Sequence, residues 1–438
     1  MSIQYLKKAA RTPASDRDDV RAAVREMLRE IEATGEQGAL RLARELDHWQ
    51  GEILVSAADR AAAAALVPEQ LRQDIRYAHD NVRRFALAQR DAIKDAQLEV
   101  SPGLIAGHRN IALDTAGCYV PGGRYAHIAS AIMSVTTARA AGVRRIIACS
   151  PPLTKTGIHP ATLYALDLCG ADVILNLGGV QGVAALAFGL FSGVRADILV
   201  GPGNQYVAEA KRALFGRVAI DMFAGPTESA IIADAGADPD IAAADLVGQA
   251  EHGHNSPVWL IVLDRDVGLR ISERVTQRIE ALPEPNRGAA AAAWRDYAEV
   301  VAVDTREEAV AVADEYAPEH LQVLCDDLDW WHGALRNYGS LFLGAETTVA
   351  FGDKVSGPNH ILPTMHAARY TGGLSVGKFL KTVTWQRMSR EANRRIAPVC
   401  ARISRAEGME GHARSADVRL QKWFPDESFN LGAPDAPA

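Results

Sequence analysis

The stretch GQAEHGHNSP (248–257) holds two histidines, a glutamate and a glutamine within six positions. Gln249 and His252 are three residues apart, so on a helix their side chains lie on one face and could bind one metal ion. Glu251 points elsewhere, and His254 is expected beyond the helix end. A capping glutamine beside an ordinary histidine is the alternative, and for this stretch by itself it is the more common arrangement.

Two further candidate metal ligands lie far along the chain. Asp353 is in FGDKVSGPNH, and His412 is in EGMEGHARS. No spacing argument joins either residue to Gln249, so the complete ligand set stays open on spacing alone. A set of nitrogen and oxygen donors without thiolates suits zinc, manganese or cobalt.

Residues that could transfer protons are adjacent in YAPEHL (316–321). Pro318 disfavours helix in the residue before it, so Glu319 and His320 are expected at a turn. A neutral imidazole is a suitable general base near neutral pH, and a neighbouring carboxylate can orient water. Most Glu-His pairs are ordinary surface residues, so this pair needs support from other segments.

Glycine-rich segments follow predicted strands and begin helices at LGGVQG (177–182) and VGPGNQYV (200–207). Backbone N–H groups at such helix starts can bind phosphate or another anion. In open α/β sheets, ligands bind beyond the carboxyl ends of strands. Neither segment is the GxGxxG fingerprint, and each could be no more than a good turn.

A third glycine-rich segment, CYVPGGRYAH (118–127), adds side chains suited to a ligand. Tyr119 could stack on a nucleotide. Arg124, with Tyr125 and His127, could bind a carboxylate, phosphate or sulfonate. The alternative for Arg124 is a solvated side chain at a loop edge.

The bulk composition is that of a globular protein. The chain has 438 residues, 48% hydrophobic and 23% charged, with a formal net charge of −7. Its length favours two or more domains, and its acidic balance argues against nucleic acid as the main partner. Five cysteines without a CxxC favour reduced thiols and a cytoplasmic location. No apolar signal segment is present, and the most apolar run, GVAALAFGLF, is too short to span a membrane.

Short apolar runs alternate with helical stretches through the middle of the chain, which predicts parallel α/β sheets. The runs include IALDTAGCYVPGG, RRIIACSPP, ADVILNLGGV, ADILVGPGN, SPVWLIVLD and AEVVAVD. Before them and after about residue 371 the pattern is helical. The sequence therefore predicts two α/β units between helical ends.

Nine segments together resemble the histidinol dehydrogenase family, in its order and over nearly the whole chain. They are CYVPGG, LGGVQGVAALAFG, VGPGNQYVAEAKR, IDMFAGPTE, GQAEHG, YAPEHL, GDKVSGPNHILPT, GGLSVGKF and EGMEGHA. The resemblance implies a homodimer whose active sites are shared between subunits. It implies NAD, one zinc ion per subunit, and a four-electron oxidation of a primary alcohol through an aldehyde to a carboxylate.

The same resemblance implies a domain organisation. The chain is expected to form two Rossmann-like parallel-sheet domains, one at 119–227 and the other at 19–118 with 228–370. A helical extension at 1–18 precedes them, and a helical segment at 371–438, swapped between subunits, follows them.

The resemblance also assigns roles to individual residues. The implied zinc ligands are Gln249, His252, Asp353 and, donated by the partner subunit, His412. Glu251 and His254 are not ligands. The acid/base pair is Glu319 and His320. The implied NAD contacts are Tyr119, Gln181 and Asn204. The implied substrate contacts are Thr227, Gln249, His252, His320, Asp353, His412 and, from the partner chain, Glu407. Thr227 stands where the family usually has a serine.

The chain departs from the histidinol enzymes around the expected substrate. Arg124-Tyr125-Ala126-His127 replaces a small residue followed by Ala-Pro, and residues 348–354 lack the carboxylate suited to a substrate ammonium. Arg124, His127 and Lys354 are expected to bind an anionic polyol instead. The chain is more similar to the family branch that oxidises (R)-2,3-dihydroxypropane-1-sulfonate to (R)-3-sulfolactate. The segments that carry this similarity are MSIQYLKKA, PGGRYAHIASA, DLDWW and FGDKVSGPNH.

Three alternatives stay open. The chain could convert L-histidinol to L-histidine, although Arg124 and Lys354 argue against a cationic substrate. It could oxidise another anionic polyol, because sulfonate, phosphate and carboxylate have similar hydrogen-bonding needs. It could be a catalytically silent binding protein, which the presence of Glu319, His320 and four candidate ligands disfavours.

Overall fold

A computed structural model describes residues 3–11, 18–122, 126–153, 156–223 and 225–432. The chain forms two compact units. The first comprises Met1–Asp91 with Ala112–Phe379, and the second Ala92–Ile111 with Leu380–Ala438. Within the described ranges, no helix combines the length and the apolar character needed to cross a bilayer.

The strands and helices of the described residues are as follows, in chain order. The strands are β1 (Gln4–Lys7), β2 (Ala96–Ser101), β3 (Leu104–Ala112), β4 (Thr115–Tyr119), β5 (Arg145–Ser150), β6 (Val173–Asn176), β7 (Ile198–Val200), β8 (Ala219–Ile220), β9 (Ser229–Ala233), β10 (Val258–Val262), β11 (Glu299–Ala302), β12 (His320–Leu324), β13 (Ser340–Leu343) and β14 (Leu380–Met388). The α-helices are α1 (Asp18–Thr34), α2 (Glu36–Leu46), α3 (Ala57–Leu66), α4 (Glu69–Ala92), α5 (Ile128–Ala141), α6 (Pro160–Leu168), α7 (Gly179–Phe188), α8 (Gln205–Leu214), α9 (Pro239–Ala250), α10 (Arg265–Ala281), α11 (Asn286–Asp296), α12 (Arg306–Tyr316), α13 (Leu328–Ala334), α14 (Val349–Lys354), α15 (Asn393–Ala406) and α16 (Glu410–Trp423).

A five-stranded parallel sheet occupies residues 115–220, in the order β6-β5-β4-β7-β8. Every residue of β4 is buried, as expected for a strand covered on both faces, which explains the continuous apolar runs in this part of the sequence. Helices α1 and α2 join its core through Val24, Ile31 and Leu42. The N-terminal helices therefore contribute to the same packed layer as α7 and α8.

A six-stranded sheet follows in the order β1-β11-β10-β9-β12-β13. Its strands pair in parallel except β1, which is antiparallel to β11. One face packs on α9, α10 and α11, and the other on α12 and α13. Together with the five-stranded sheet, this arrangement confirms the predicted α/β class with parallel sheets.

The second unit contains the three-stranded sheet β14-β3-β2 and the helix pair α15 and α16. The two helices pack through Ala397, Ala401, Ala413 and Leu420. Strands β2 and β3 are antiparallel.

Two segments expected to be helical contain strands. Gln4–Lys7, in the expected extension at 1–18, form β1 because they pair with β11. Leu380–Met388, in the expected helical segment 371–438, form β14, where Thr382, Val383 and Thr384 have the β-branched side chains that favour strands. The inferred domain boundaries and the swap of 371–438 stay predictions.

Candidate active site

A cavity of about 1270 Å³ in the first unit brings together most of the residues singled out from the sequence. On one side, Tyr119 ends β4, and Gln181 lies in the first turn of α7, after β6. On the other side, His320 is the first residue of β12, and Thr227 lies two residues before β9. The carboxyl ends of the five-stranded sheet therefore face the amino ends of the six-stranded sheet across the cavity.

Three candidate metal ligands line this cavity. Gln249 is in the last turn of α9, and His252 lies two residues beyond the end of that helix. The His252 backbone N–H donates to the Gln249 carbonyl at 3.2 Å, so the turn continues past the helix. Asp353, from α14, has its Oδ2 4.0 Å from His252 Nε2. The predicted i, i+3 pair and a distant aspartate thus meet in space.

The chemistry of this group fits a metal ion. Gln249 is 3% exposed, and its Oε1 has no hydrogen-bond partner among the described residues. A buried acceptor left unpaired is costly unless a ligand fills the position. Burial lowers the pKa of His252, although Asp353 opposes it, and a neutral imidazole is the form that binds metals. An imidazole nitrogen with carboxylate and amide oxygens suits zinc.

No cluster of three or more His, Cys, Asp or Glu residues arranged for a metal occurs in the described ranges. Of the implied zinc ligands in the first unit, only His252 and Asp353 are of these residue types, because Gln249 is an amide. Its fourth member, His412, lies in the second unit, as does Glu407; both side chains are exposed there. Their roles at the site stay predictions.

The predicted acid/base pair is buried at the start of β12. Ala317 ends α12 in the left-handed region, with φ 45°, so the chain turns there before Glu319 and His320. His320 Nδ1 lies 3.1 Å from the Glu228 carbonyl oxygen, so it carries the proton in the neutral tautomer. In the part of the chain that the structure describes, Nε2 has no hydrogen-bond partner, and it lies 3.5 Å from Asp353 Oδ1. The basic nitrogen is therefore on the side of the metal candidates.

The charges of this pair are coupled. Burial raises the pKa of Glu319 to about 7, with His320 opposing. Burial by itself would lower the pKa of His320, but the carboxylates of Glu319 and Asp353 outweigh it and raise the pKa. The Glu319 carboxyl also accepts from the Glu228 N–H at 3.1 Å, which holds it in place. The site thus retains a proton that it can exchange with a substrate.

The three predicted nucleotide contacts line the opposite wall. The Tyr119 hydroxyl accepts from the Gly179 N–H at 3.1 Å. Asn204 caps α8 through its side-chain oxygen, which accepts from two backbone N–H groups, and its NH₂ has no acceptor among the described residues. Gln181 is 1% exposed, and its Nε2 donates to Asp47 Oδ2 at 2.8 Å. Asp47 was not singled out from the sequence, where it follows a helix without a motif.

The predicted anion pocket is described in part. His127, Thr227 and Lys354 line the cavity. Burial and then the positive charge of Lys354 lower the pKa of His127, so the two side chains share one electrostatic environment. No ion pair joins Lys354 to a carboxylate within the part of the chain that the structure describes. Arg124 lies outside the described residues.

A further histidine in the cavity was not singled out, although it lies within the family motif GDKVSGPNHILPT. His360 Nδ1 lies 2.8 Å from the Asp353 carbonyl oxygen, and Nε2 lies 3.2 Å from Ser130 Oγ. Burial lowers its pKa to about 4, so it is neutral. It supports the backbone of a candidate ligand.

Comparisons with known proteins agree with this geometry. The histidinol dehydrogenase family model matches residues 10–420. The chain is 60% identical over 433 residues to a sulfopropanediol 3-dehydrogenase of Ruegeria pomeroyi, covering 99% of this chain and 100% of the relative. It is 61% identical over 425 residues to a histidinol dehydrogenase homolog of the same organism, covering 97% and 98%.

Among solved structures, the crystal structure of histidinol dehydrogenase from Elizabethkingia anophelis matches with a TM-score of 0.89 and 31% identity, covering 94% of this chain and 95% of that chain. The resemblance inferred from nine short segments is thereby confirmed over nearly the full length. The chain belongs to the histidinol dehydrogenase family and is an enzyme of the dehydrogenase class.

Proposed function

We propose that the enzyme is a zinc-dependent NAD dehydrogenase that oxidises the primary alcohol of (R)-2,3-dihydroxypropane-1-sulfonate through the aldehyde to (R)-3-sulfolactate. The observation that carries the proposal is the Lys354 ammonium, which has no ion-pair partner among the described residues and lies in the same cavity as the His320 base and Asp353. The 60% identity to a relative named for sulfopropanediol oxidation supports the substrate class.

Gln249, His252 and Asp353 would hold the zinc ion, with His412 of the partner subunit as fourth ligand. When bound there, zinc supplies Lewis acidity that favours the alkoxide, and its charge beside His320 favours the neutral imidazole. Tyr119, Gln181 and Asn204 would hold NAD, which would supply the hydride acceptor for each oxidation.

The side chains of the enzyme move the protons. His320 Nε2 accepts the hydroxyl proton as hydride leaves the primary carbon, which gives the aldehyde. Glu319 and His320 then deprotonate a water that adds to the carbonyl, and the hydrate loses a second hydride. The alcohol, one water and two NAD become the carboxylate, two NADH and three protons. Retaining the aldehyde in the cavity prevents its escape.

Substrate charge is selected at the end of α14. Lys354, adjacent to Asp353, attracts the sulfonate and repels the ammonium of histidinol, so discrimination uses both signs of interaction. His127, whose pKa is lowered by burial and then by Lys354, can contribute a hydrogen bond from the same wall. Arg124 is a further candidate cation for this pocket.

The test is a panel of initial rates of NADH formation by the zinc-loaded enzyme. The panel contains 2,3-dihydroxypropane-1-sulfonate, histidinol and, as an uncharged control, glycerol. Rates with the sulfonate far above those with histidinol and glycerol support the proposal. Rates with histidinol above the sulfonate would overturn the role of Lys354 and favour histidinol oxidation.

A further inference from the structure

Asp47, the residue after α2, lines the cavity next to Gln181, in the wall that also contains Tyr119 and Asn204. Its Oδ2 accepts from Gln181 Nε2 at 2.8 Å and from the Gly178 N–H at 3.2 Å. A Cβ on Gly178 would lie 2.7 Å from Pro151 Cγ and 3.2 Å from Asp47 Oδ1, so Pro151 and Asp47 together leave no room for a side chain at residue 178. One carboxylate oxygen thus holds both the turn that begins α7 and a side chain in its first turn.

The contact decides which end of the Gln181 amide is available. A carboxylate can only accept hydrogen bonds, so the amide NH₂ faces Asp47 and the carbonyl oxygen faces away. Gln181 Oε1 is buried and has no hydrogen-bond partner among the described residues, while the side chain lines the cavity. The arrangement leaves an acceptor ready for a ligand that donates.

The turn under this amide is held a second time. The Gly179 N–H donates to the Tyr119 hydroxyl at 3.1 Å, next to the Gly178 N–H that donates to Asp47. Two consecutive backbone donors are therefore bound by side chains from two different elements. This fixes the backbone that carries Gln181, so that the amide orientation is set before a ligand arrives.

We propose that Asp47 is a positioning residue for the dinucleotide: it fixes the Gln181 amide so that Oε1 accepts from a ribose hydroxyl or carboxamide NH₂ group. The inference rests on the proposed use of NAD and deepens it. Asp47 does not need to touch the nucleotide to act, since its effect passes through Gln181 and the turn at 178–179.

The first test is a titration of the zinc-loaded enzyme with NADH, in which binding is measured by the fluorescence of the nucleotide. Asp47→Ala is expected to weaken NADH binding by about 10- to 100-fold, because the hydrogen bonds lost are to a charged group. Asp47→Asn is expected to retain most of the affinity, since the asparagine carbonyl can accept the same two N–H groups. Glu26→Ala, which removes an exposed carboxylate of α1, is the matched control and should bind like the wild type.

The second test exchanges the partners and stays informative if Asp47→Ala folds poorly. Gln181→Glu places two carboxylates in contact and should weaken NADH binding. Adding Asp47→Asn to Gln181→Glu restores a donor opposite an acceptor and should recover at least part of the lost affinity. A double variant no better than Gln181→Glu overturns the orienting role.

Steady-state kinetics separates this inference from the proposed function. Asp47→Ala should raise KM for NAD with little change in kcat, because the reacting groups are untouched. A wild-type enzyme that neither binds NADH nor reduces NAD overturns the proposed function itself. A wild-type enzyme that does both, alongside an Asp47→Ala variant that matches Glu26→Ala, overturns only the role of Asp47.

Discussion

A buried ion pair holds the loop that leads from β7 to Asn204 in the wall of the cavity. The Lys211 ammonium contacts Asp221 Oδ1 and donates to the Gly201 carbonyl at 2.9 Å, while Asp221 Oδ2 accepts from the Gly201 N–H at 2.8 Å. The two side chains are 5% and 0% exposed. A Cβ on Gly201 would lie 1.9 Å from the Tyr119 carbonyl oxygen, so the pair clamps a glycine that packs directly against β4.

Removing either partner is expected to cost about 3–5 kcal/mol of unfolding free energy, because the other charge stays buried without its counterion. The two losses should be unequal. After Lys211→Met, the Asp221 carboxylate keeps the N–H donors of Gly201 and Met222. After Asp221→Asn, the Lys211 ammonium has no counterion, and the Gly201 carbonyl is the backbone acceptor that remains. Asp221→Asn should therefore be the more destabilising variant.

Urea unfolding at fixed protein concentration, followed by circular dichroism, measures these losses for each single variant and for the double variant. A coupling energy of about 2 kcal/mol or more is expected, with the double variant costing less than the sum. Exposed Arg144, paired with Asp114, offers a matched comparison, and Arg144→Met should cost less than about 1 kcal/mol. If the Lys211 and Asp221 variants each lose less than about 1 kcal/mol of unfolding free energy, and these losses add in the double variant, the stabilising role of the buried ion pair is refuted.

The other expected outcomes concern charge, protons and assembly. Lys354→Met should raise KM for the sulfonate by about 10- to 100-fold and reduce the salt dependence of that KM. Lys8→Met, an exposed control, should change neither quantity, and unchanged kinetics in Lys354→Met would remove Lys354 from the pocket. Burial and then Glu319 raise the pKa of Glu228 to about 8. Since the unfolded carboxyl ionises near its ordinary value, the metal-free wild type should lose stability relative to Glu228→Gln as pH rises from about 5 to 8, by at most about 1.4 kcal/mol per pH unit, and a constant difference across that range would contradict the buried neutral acid. His320→Ala should lower kcat by about two to four orders of magnitude, and His412→Ala should lose zinc. If sites are shared, co-refolding these two inactive variants should restore about a quarter of wild-type activity, whereas no recovery would place each complete site in one chain.

The sequence locates the cavity wall that contains Gln181 and Asn204 better than the wall that contains Glu319 and His320. LGGVQG and VGPGNQYV follow strands of the five-stranded sheet, so the rule that ligands bind beyond carboxyl ends predicts that these two segments border a ligand site. Gln181 and Asn204, which lie in these segments, do line the cavity. Glu319 and His320 instead lie at the amino end of β12, where that rule gives no prediction. Their assignment as an acid/base pair depended on the family motif YAPEHL, because the spacing of an adjacent Glu-His pair does not predict a catalytic role.

Residues that act through long-range contacts had no local pattern. Asp47 lies 134 positions from Gln181, and Glu228 supports His320 through a backbone carbonyl 92 positions away. Strand β14 also lacks a local pattern in the sequence. It pairs with the distant strand β3, and most of its side chains are exposed, so its sequence has no apolar periodicity. Only the folded chain brings such groups together.

The most direct measurement is the stoichiometry of complete conversion. A limiting, known amount of 2,3-dihydroxypropane-1-sulfonate is consumed by the zinc-loaded enzyme with excess NAD, NADH is counted by absorbance, and the product is identified by nuclear magnetic resonance. The proposed mechanism predicts two NADH per sulfonate and a carboxylate product without free aldehyde. One NADH per sulfonate with accumulated aldehyde would contradict the double oxidation, and no NADH would contradict the substrate.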